Sequence, residues 1–275
     1  MSIPLLPAPS SELLNFIGGG VNALIDRPGE WMPTYTGRRF YPVTPSPDDV
    51  ALEDISIGLS RQPRFTGQTR WISRVAPHSI LVSLLVPPPE AEPALFHDAP
   101  ESYIGDQTRP MKDSLRKDGV DAFDRLEAGI LKAVFEHFGI PSAMERGVPD
   151  AIKWSPTLPA EEKCKALVGK IVKCADVAAT IIESVRLYGY HEVRTWKIGP
   201  QIPWGEAWLQ HYQAAAEDQN HALLEAGYGI PKDILRRILR SEELTEQESA
   251  MAFELRYRDL VYLRTKASSA VVPGK

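Results

Sequence analysis

An all-α fold is what this 275-residue sequence predicts, on three observations. Long stretches place apolar residues at a spacing close to 3.6, the period of a buried helix face. Segments with the marks of a β-strand are few. The periodic stretches end where Pro or Gly would stop a helix, as PPPE does after VAPHSILVSLLV.

The elements follow in chain order. The first fifty residues are rich in Pro, Gly and Ser, and GEWMPTYTGRRFYPVTPSPDD reads as an extended, turn-rich arm. A capping-type Ser-Pro-Asp-Asp then leads into a short helix, DDVALEDISIGLSRQ. RFTGQTR is a loop, VAPHSILVSLLV a second helix, and AEPALFHDAPESYIGD a third that ends near Gly105. GVDAFDRLEAGILKAVFEHFGI is a fourth, its apolar face made by Phe123, Leu126, Ile130, Leu131, Val134 and Phe138. The longest candidate helix is AEEKCKALVGKIVKCADVAATIIESVRLYG, with Leu167, Ile171, Val172, Ala175, Ile182 and Val185 on its stripe. A Trp/Pro-rich connection, HEVRTWKIGPQIPWGEAW, precedes two further helices near EAWLQHYQAAAEDQNHALLEAG and EQESAMAFELRYRDLVYLRTKA. The tail SSAVVPGK reads as frayed. No internal repeat is visible. The expected organisation is an arm over 1–34, a helical domain over 35–215, and a helical extension over 216–275 packed on that same domain.

Composition narrows the function classes. A formal net charge of -5 gives no general attraction for nucleic acid or an anionic membrane. No apolar run approaches the ~20 residues that cross a bilayer, and MSIPLLPAPSSELL lacks the basic-then-apolar order of a signal peptide. Cys164 and Cys174 lie ten apart in one expected helix, about 15 Å at ~1.5 Å per residue, too far for a disulfide. Free thiols and a cytoplasmic location are the expectation.

The stretch ALFHDAPESYIGDQTRPMK sets a histidine and three acids beside Leu95, Phe96 and Ala99. Neighbouring helical residues point ~100° apart, so His97 and Asp98 can reach one cation lying against the helix. Two ligands rarely suffice, and the rest must come from other helices. His78 stands among apolar residues in the second helix, and Asp176 one residue from the apolar stripe of the longest. An unpaired ionised carboxylate there would cost several kcal/mol; a metal removes that cost. His78, His97, Asp98 and Asp176 thus offer two imidazoles and two carboxylates to a divalent ion such as Mn, Co, Fe or Zn. Each has a plainer reading alone: His78 as a hydrogen-bonded core histidine, His-Asp as chance, Asp176 as a buried acid bonded to backbone or Arg186.

This order of ligands resembles the HD-domain phosphohydrolase superfamily. HDAPESYIGDQTRPMK is similar to the corresponding segment of the group containing bacterial 5'-deoxynucleotidases and phage dATP triphosphohydrolases. The resemblance runs from about Tyr35 to about Leu209. It implies an HD-domain helical bundle, with His78, His97, Asp98 and Asp176 holding a divalent metal (Mn, Co, Fe, Zn or Mg). It makes Glu101 and Asp106 the catalytic or neighbouring acids. Residue spacing agrees for Glu101, four after His97 and so on the same face of a continuous helix, where a carboxylate can take a proton from an attacking water. Arg64 is carried over as a phosphate or sugar contact, Phe65 as an apolar wall for sugar or base, and Lys112 as a second phosphate contact. Glu183 recurs in the subgroup without an assigned role. Gln68 departs from the His that many subgroup members carry, and Pro77 from a polar residue.

The implied activity is metal-dependent hydrolysis of a deoxynucleotide, monophosphate to nucleoside plus phosphate. The alternatives are triphosphate release from a deoxynucleoside triphosphate, a phosphodiesterase, and a non-catalytic nucleotide- or protein-binding module. The implied partner is a small deoxynucleotide, with no membrane or nucleic acid. Self-association through Phe253, Leu255, Tyr257, Leu260, Tyr262 and Leu263 competes with the use of that stripe to cover the chain's own core.

Overall fold

The computed structural model describes residues 29–141, 171–189 and 206–270, apart from the side chains of Cys174, 206–212 and 268–270. Most of the arm, Cys164, the first part of the longest expected helix and most of the Trp/Pro connection lie outside them.

The described chain is mainly helical. A two-stranded antiparallel hairpin comes first, β1 (Met32–Pro33) against β2 (Arg39–Phe40). Thr36 fastens it, donating from its backbone N and its hydroxyl to the buried Asp54 carboxylate at 2.8 and 2.9 Å. Ten helices follow among the described residues: α1 (Leu52–Arg61), α2 (Val75–Leu84), α3 (Ala91–Leu95), α4 (Glu101–Ile104), α5 (Arg109–Lys117), α6 (Ala122–Phe138), α7 (Ile171–Tyr188), α8 (Glu206–Glu225), α9 (Lys232–Leu239) and α10 (Glu246–Ala270).

Helix α2 is the hub. It packs against α1, α3, α7, α9 and α10, and all of its residues from His78 to Ser83 are buried. A helix enclosed on every side must be apolar all round, which VAPHSILVSL is except for His78 and its two serines. Its C-terminal end is closed by buried Arg256 of α10, whose Nε and Nη2 donate to the Ser83 hydroxyl at 3.0 Å and carbonyl at 3.1 Å. That cation meets the negative end of the helix dipole.

Three elements differ from expectation. The Ser46 capping box closes a 3-10 turn over Pro47–Asp49, and extended Val50 separates it from α1. The third helix is broken: α3 ends at Leu95, residues 96–100 form tight turns, and α4 restarts at Glu101. Pro100 is the physical reason, since it has no N–H to give to the Phe96 carbonyl and its ring clashes there. Helices α5 and α9 are additional, and the C-terminal region holds three helices rather than two.

The restart of α4 is fixed from two sides. Gly58 of α1 lies so close to α4 that a Cβ on it would sit 2.6 Å from Ser102 Cβ and 3.0 Å from the Ser102 carbonyl oxygen. Tyr103 stacks on Phe40, ring centroids 3.7 Å apart. Helix α10 runs along α1 and α2, with Phe253 and Leu260 buried and Leu255 and Tyr257 packed against the core.

Candidate metal centre

Three segments converge beside α2. His78 comes from its middle, with no solvent exposure. His97 and Asp98 come from the turn that Pro100 forces between α3 and α4. Asp176 comes from α7, which lies against α2. One donor atom each from His78, His97 and Asp176 falls within 4.8 Å of the others. His78 Nε2 is 3.2 Å from Asp176 Oδ1 and 3.7 Å from Asp98 Oδ2. His97 Nε2 is 3.1 Å from Asp98 Oδ2 and 4.0 Å from Asp176 Oδ1.

The imidazole nitrogens have divided tasks. His97 Nδ1 is 2.7 Å from the Ala94 carbonyl oxygen, which can only accept, so Nδ1 carries the hydrogen. His78 Nδ1 is 3.1 and 3.2 Å from the two Glu183 carboxylate oxygens, also acceptors. In the neutral ring each Nε2 then keeps its lone pair and turns it toward the Asp98 and Asp176 carboxylates. Lone pairs facing carboxylate oxygens repel unless something positive lies between them.

A divalent ion fits that place on the geometry of the donors. Ligands ~2.1 Å from a shared ion stand roughly 3.0–3.4 Å from one another; the His97–Asp98 and His78–Asp176 pairs, at 3.1 and 3.2 Å, match that spacing, and the 3.7 and 4.0 Å pairs are a few tenths of an ångström wider. His97 Nε2 is buried, and its 3.1 Å contact with Asp98 Oδ2 lacks the direction of a hydrogen bond. His78, His97 and Asp176 form the cluster that could hold an ion; with Asp98 beside it, imidazole nitrogens and carboxylate oxygens make a borderline-to-hard donor set.

Charge on the surrounding groups tells the same story. Burial and the nearby Arg64 oppose a proton on His78, yet Glu183 and Asp176 outweigh them and raise its pKa to about 9; a proton there does for the carboxylates what a cation would do. Asp98 and Asp176 are held below the usual carboxylate range despite burial, chiefly by His97 and His78. Asp176 also pairs with Lys173 one turn earlier. Arg186 is not its partner; that side chain is half exposed and lies 3.7 Å from Glu242.

Glu101 behaves differently. It is buried, its Oε2 has no hydrogen-bond partner among the described residues, and its pKa is pushed to about 10 by burial and by the Asp98 and Asp106 charges. Asp106, just past Gly105, is shifted upward by burial as well, with Asp98 adding to the effect and Arg64 and Lys112 opposing it. The chain therefore sets a proton-holding carboxyl beside ionised ones. That difference is the usual mark of acid and base roles. Contrary to expectation, Glu101 does not share a continuous helix with His97, because the helix is interrupted at residues 96–100; Glu101 belongs to the neighbourhood through the turn.

The proposed substrate contacts are largely engaged. Arg64 is 8% exposed; its Nη2 donates to Thr180 Oγ1 at 3.0 Å, its Nε lies 3.1 Å from Glu183 Oε2, and its Nη1 is 3.9 Å from Asp98 Oδ2. The next residues, Phe65 and Thr66, both have left-handed backbone (φ 54° and 53°) before Gly67. Such angles are strained in non-glycine residues and tend to gather at functional loops. Phe65 stands under the Arg64 guanidinium at 5.4 Å and edge-on to Tyr188 at 6.2 Å. The Tyr188 hydroxyl donates to the Gln68 carbonyl at 2.6 Å. Lys112 donates to Glu127 at 2.6 Å, so its charge is already partnered.

Glu183 and Thr180 are the residues whose part the sequence reading left blank. The available signal was spacing: Asp176, Thr180 and Glu183 stand at i, i+4 and i+7, one polar stripe on a helix.

No helix among the described residues is long and apolar enough to cross a membrane. No family model matches the chain. A stretch of 118 residues is 35% identical to the uncharacterized protein YfdR of Escherichia coli, covering 43% of this chain and 64% of YfdR. A stretch of 150 residues is 35% identical to an uncharacterized protein of Rhodobacter capsulatus, covering 50% of this chain and 74% of that protein. With that identity over that share of its length, the chain belongs to the same family as the R. capsulatus protein.

Proposed function

We propose that the protein is a divalent-metal-dependent phosphohydrolase of the HD type that removes phosphate from deoxynucleoside monophosphates in the cytoplasm. One observation carries the reading. Two histidines, each with Nδ1 already committed to an acceptor, present their Nε2 atoms to two carboxylates at spacings a single ion would satisfy.

His78, His97, Asp98 and Asp176 would hold the metal, which when bound supplies Lewis acidity toward a phosphoryl oxygen and lowers the pKa of a nucleophilic water. The remaining steps belong to the chain. Glu101, next to the centre and able to hold a proton at neutral pH, donates that proton to the leaving oxygen as its bond to phosphorus breaks. Burial and the Asp106 charge favour the proton on it. Arg64 Nη1, the guanidinium nitrogen nearest Asp98, attracts a phosphoryl oxygen, and Phe65 walls the sugar or base.

A triphosphate brings more negative charge than a monophosphate. Both cations singled out for phosphate, Arg64 and Lys112, are already paired with Glu183 and Glu127, which favours the smaller charge. The test is to load the protein with Mn, Co or Zn, supply each deoxynucleoside mono- and triphosphate, and identify the released species. Free phosphate from monophosphates, abolished by chelation and by Asp176→Asn, is the expected result. Released triphosphate would transfer the reading to the triphosphohydrolase alternative. Binding without turnover, unchanged by Glu101→Gln, would leave a non-catalytic module.

A further inference from the structure

We propose that Glu183 is a positioning residue that ties cation binding to anion binding in this centre, and that Thr180 serves the anion side alone. The inference rests on the metal-centre reading above and assigns a task to side chains which that reading leaves unused.

Glu183 is 3% exposed, in the interface between α7 and α2. A carboxylate so placed is costly unless it is paired and hydrogen-bonded. Both of its oxygens lie within 3.2 Å of His78 Nδ1. The same Oε2 lies 3.1 Å from Arg64 Nε. One carboxylate therefore does two things. It accepts the His78 Nδ1 hydrogen, which leaves Nε2 as the ligating atom and fixes the ring's orientation. It also ion-pairs with the Arg64 guanidinium on its Nε side, without a hydrogen bond at Nε itself, while Thr180, one turn earlier on α7, accepts from Nη2 at 3.0 Å. With Nη2 hydrogen-bonded and Nε beside Glu183, Nη1 is left on the Asp98 side, 3.9 Å from Oδ2. A guanidinium hydrogen-bonded at one nitrogen and ion-paired at a second loses less freedom when an anion meets the third. Its ligand class is a tetrahedral oxyanion, inorganic phosphate or a phosphoryl group, lying against the metal.

The experiment uses the full chain and two probes, Zn²⁺ and inorganic phosphate, measured by calorimetry on the wild type, Glu183→Gln and Thr180→Val, with thermal melts to verify folding. Glu183→Gln is expected to weaken Zn²⁺ binding roughly 10- to 100-fold and to weaken phosphate binding to the Zn²⁺-loaded protein. Thr180→Val is expected to weaken phosphate binding and leave the Zn²⁺ affinity unchanged. Long-range ¹H–¹⁵N spectra of the Zn²⁺-loaded wild type should show His78 with its hydrogen on Nδ1, a result that needs no variant to fold. If the wild type takes up no divalent ion, the metal centre and this inference fall together. If it binds Zn²⁺ while Glu183→Gln binds equally well, or His78 carries its hydrogen on Nε2, the metal centre stands and the positioning role is overturned. Thr180→Val with unaltered phosphate affinity overturns its part.

Discussion

Glu101→Gln should make the metal-free protein more stable while removing turnover. Glu101 has an ordinary pKa of 4.5, raised in the fold to about 10. Because the folded value is the higher one, its contribution to stability is fully present below pH 4.5 and is lost as pH rises toward 10. Between those limits the unfolded chain releases a proton that the folded chain retains. Stability then falls by about 1.4 kcal/mol per pH unit from this group. The penalty is about 3 kcal/mol at pH 7, and about 1 kcal/mol at pH 5, as an upper figure for one buried group in a field of charges. Glutamine has the size of the protonated acid and does not titrate. Urea denaturation of chelator-treated wild type and variant, at pH 5 and pH 8, isolates the term as the difference between the two proteins. The variant should gain clearly more at pH 8 than at pH 5. An equal gain at both, or a loss at pH 8, would refute the claim that the Asp98–Asp106 field and burial keep Glu101 protonated. A stability gain combined with lost activity is what strained catalytic groups give when removed.

Three other outcomes follow from the same geometry. A divalent ion must displace the proton that His78 retains up to about pH 9, so apparent metal affinity should rise roughly tenfold per pH unit below that value and level off above it; chelator competition at pH 6.5, 7.5 and 8.5 measures it, and a flat profile counts against the site. Lys173 is 64% exposed and competes with any cation for Asp176, so Lys173→Ala should cost at most about 1 kcal/mol of stability and tighten metal binding by up to roughly 5-fold. Gly58→Ala should destabilise by about 1–3 kcal/mol, because its Cβ would strike α4 at Ser102. In a roomy helix the same change would instead stabilise by about 1 kcal/mol, so the sign found in urea melts decides whether the close approach is real.

Helical class was legible in the sequence because a buried helix face leaves its period in the order of residues, and the stretches at α1, α6 and α7 carry it; α2, enclosed on every side, is apolar all round. Helix α9 carries it too, in Ile234, Leu235, Ile238 and Leu239, but over eight residues a stripe is easily absorbed into its neighbours. The break at Pro100 is written in the chain, but the polar cluster on either side of it runs on as if the helix were continuous. The four candidate ligands could be chosen from sequence because charge among apolar residues is costly, and that cost demands a partner whatever the fold.

Who that partner is could be settled only by tertiary structure. Asp176 meets His78 and Lys173 rather than Arg186, and Lys112 meets Glu127. Arg64, more than a hundred residues before Thr180 and Glu183 in sequence, hydrogen-bonds the first and ion-pairs with the second. The direction of each imidazole was beyond reach from sequence as well, since which nitrogen faces the carboxylates depends on the acceptor on the far side of the ring. Composition and period report how much surface a segment must bury, which is a local property. The pairing of charges depends on distances between segments far apart in the chain, and those exist only once α2 has been enclosed by its neighbours.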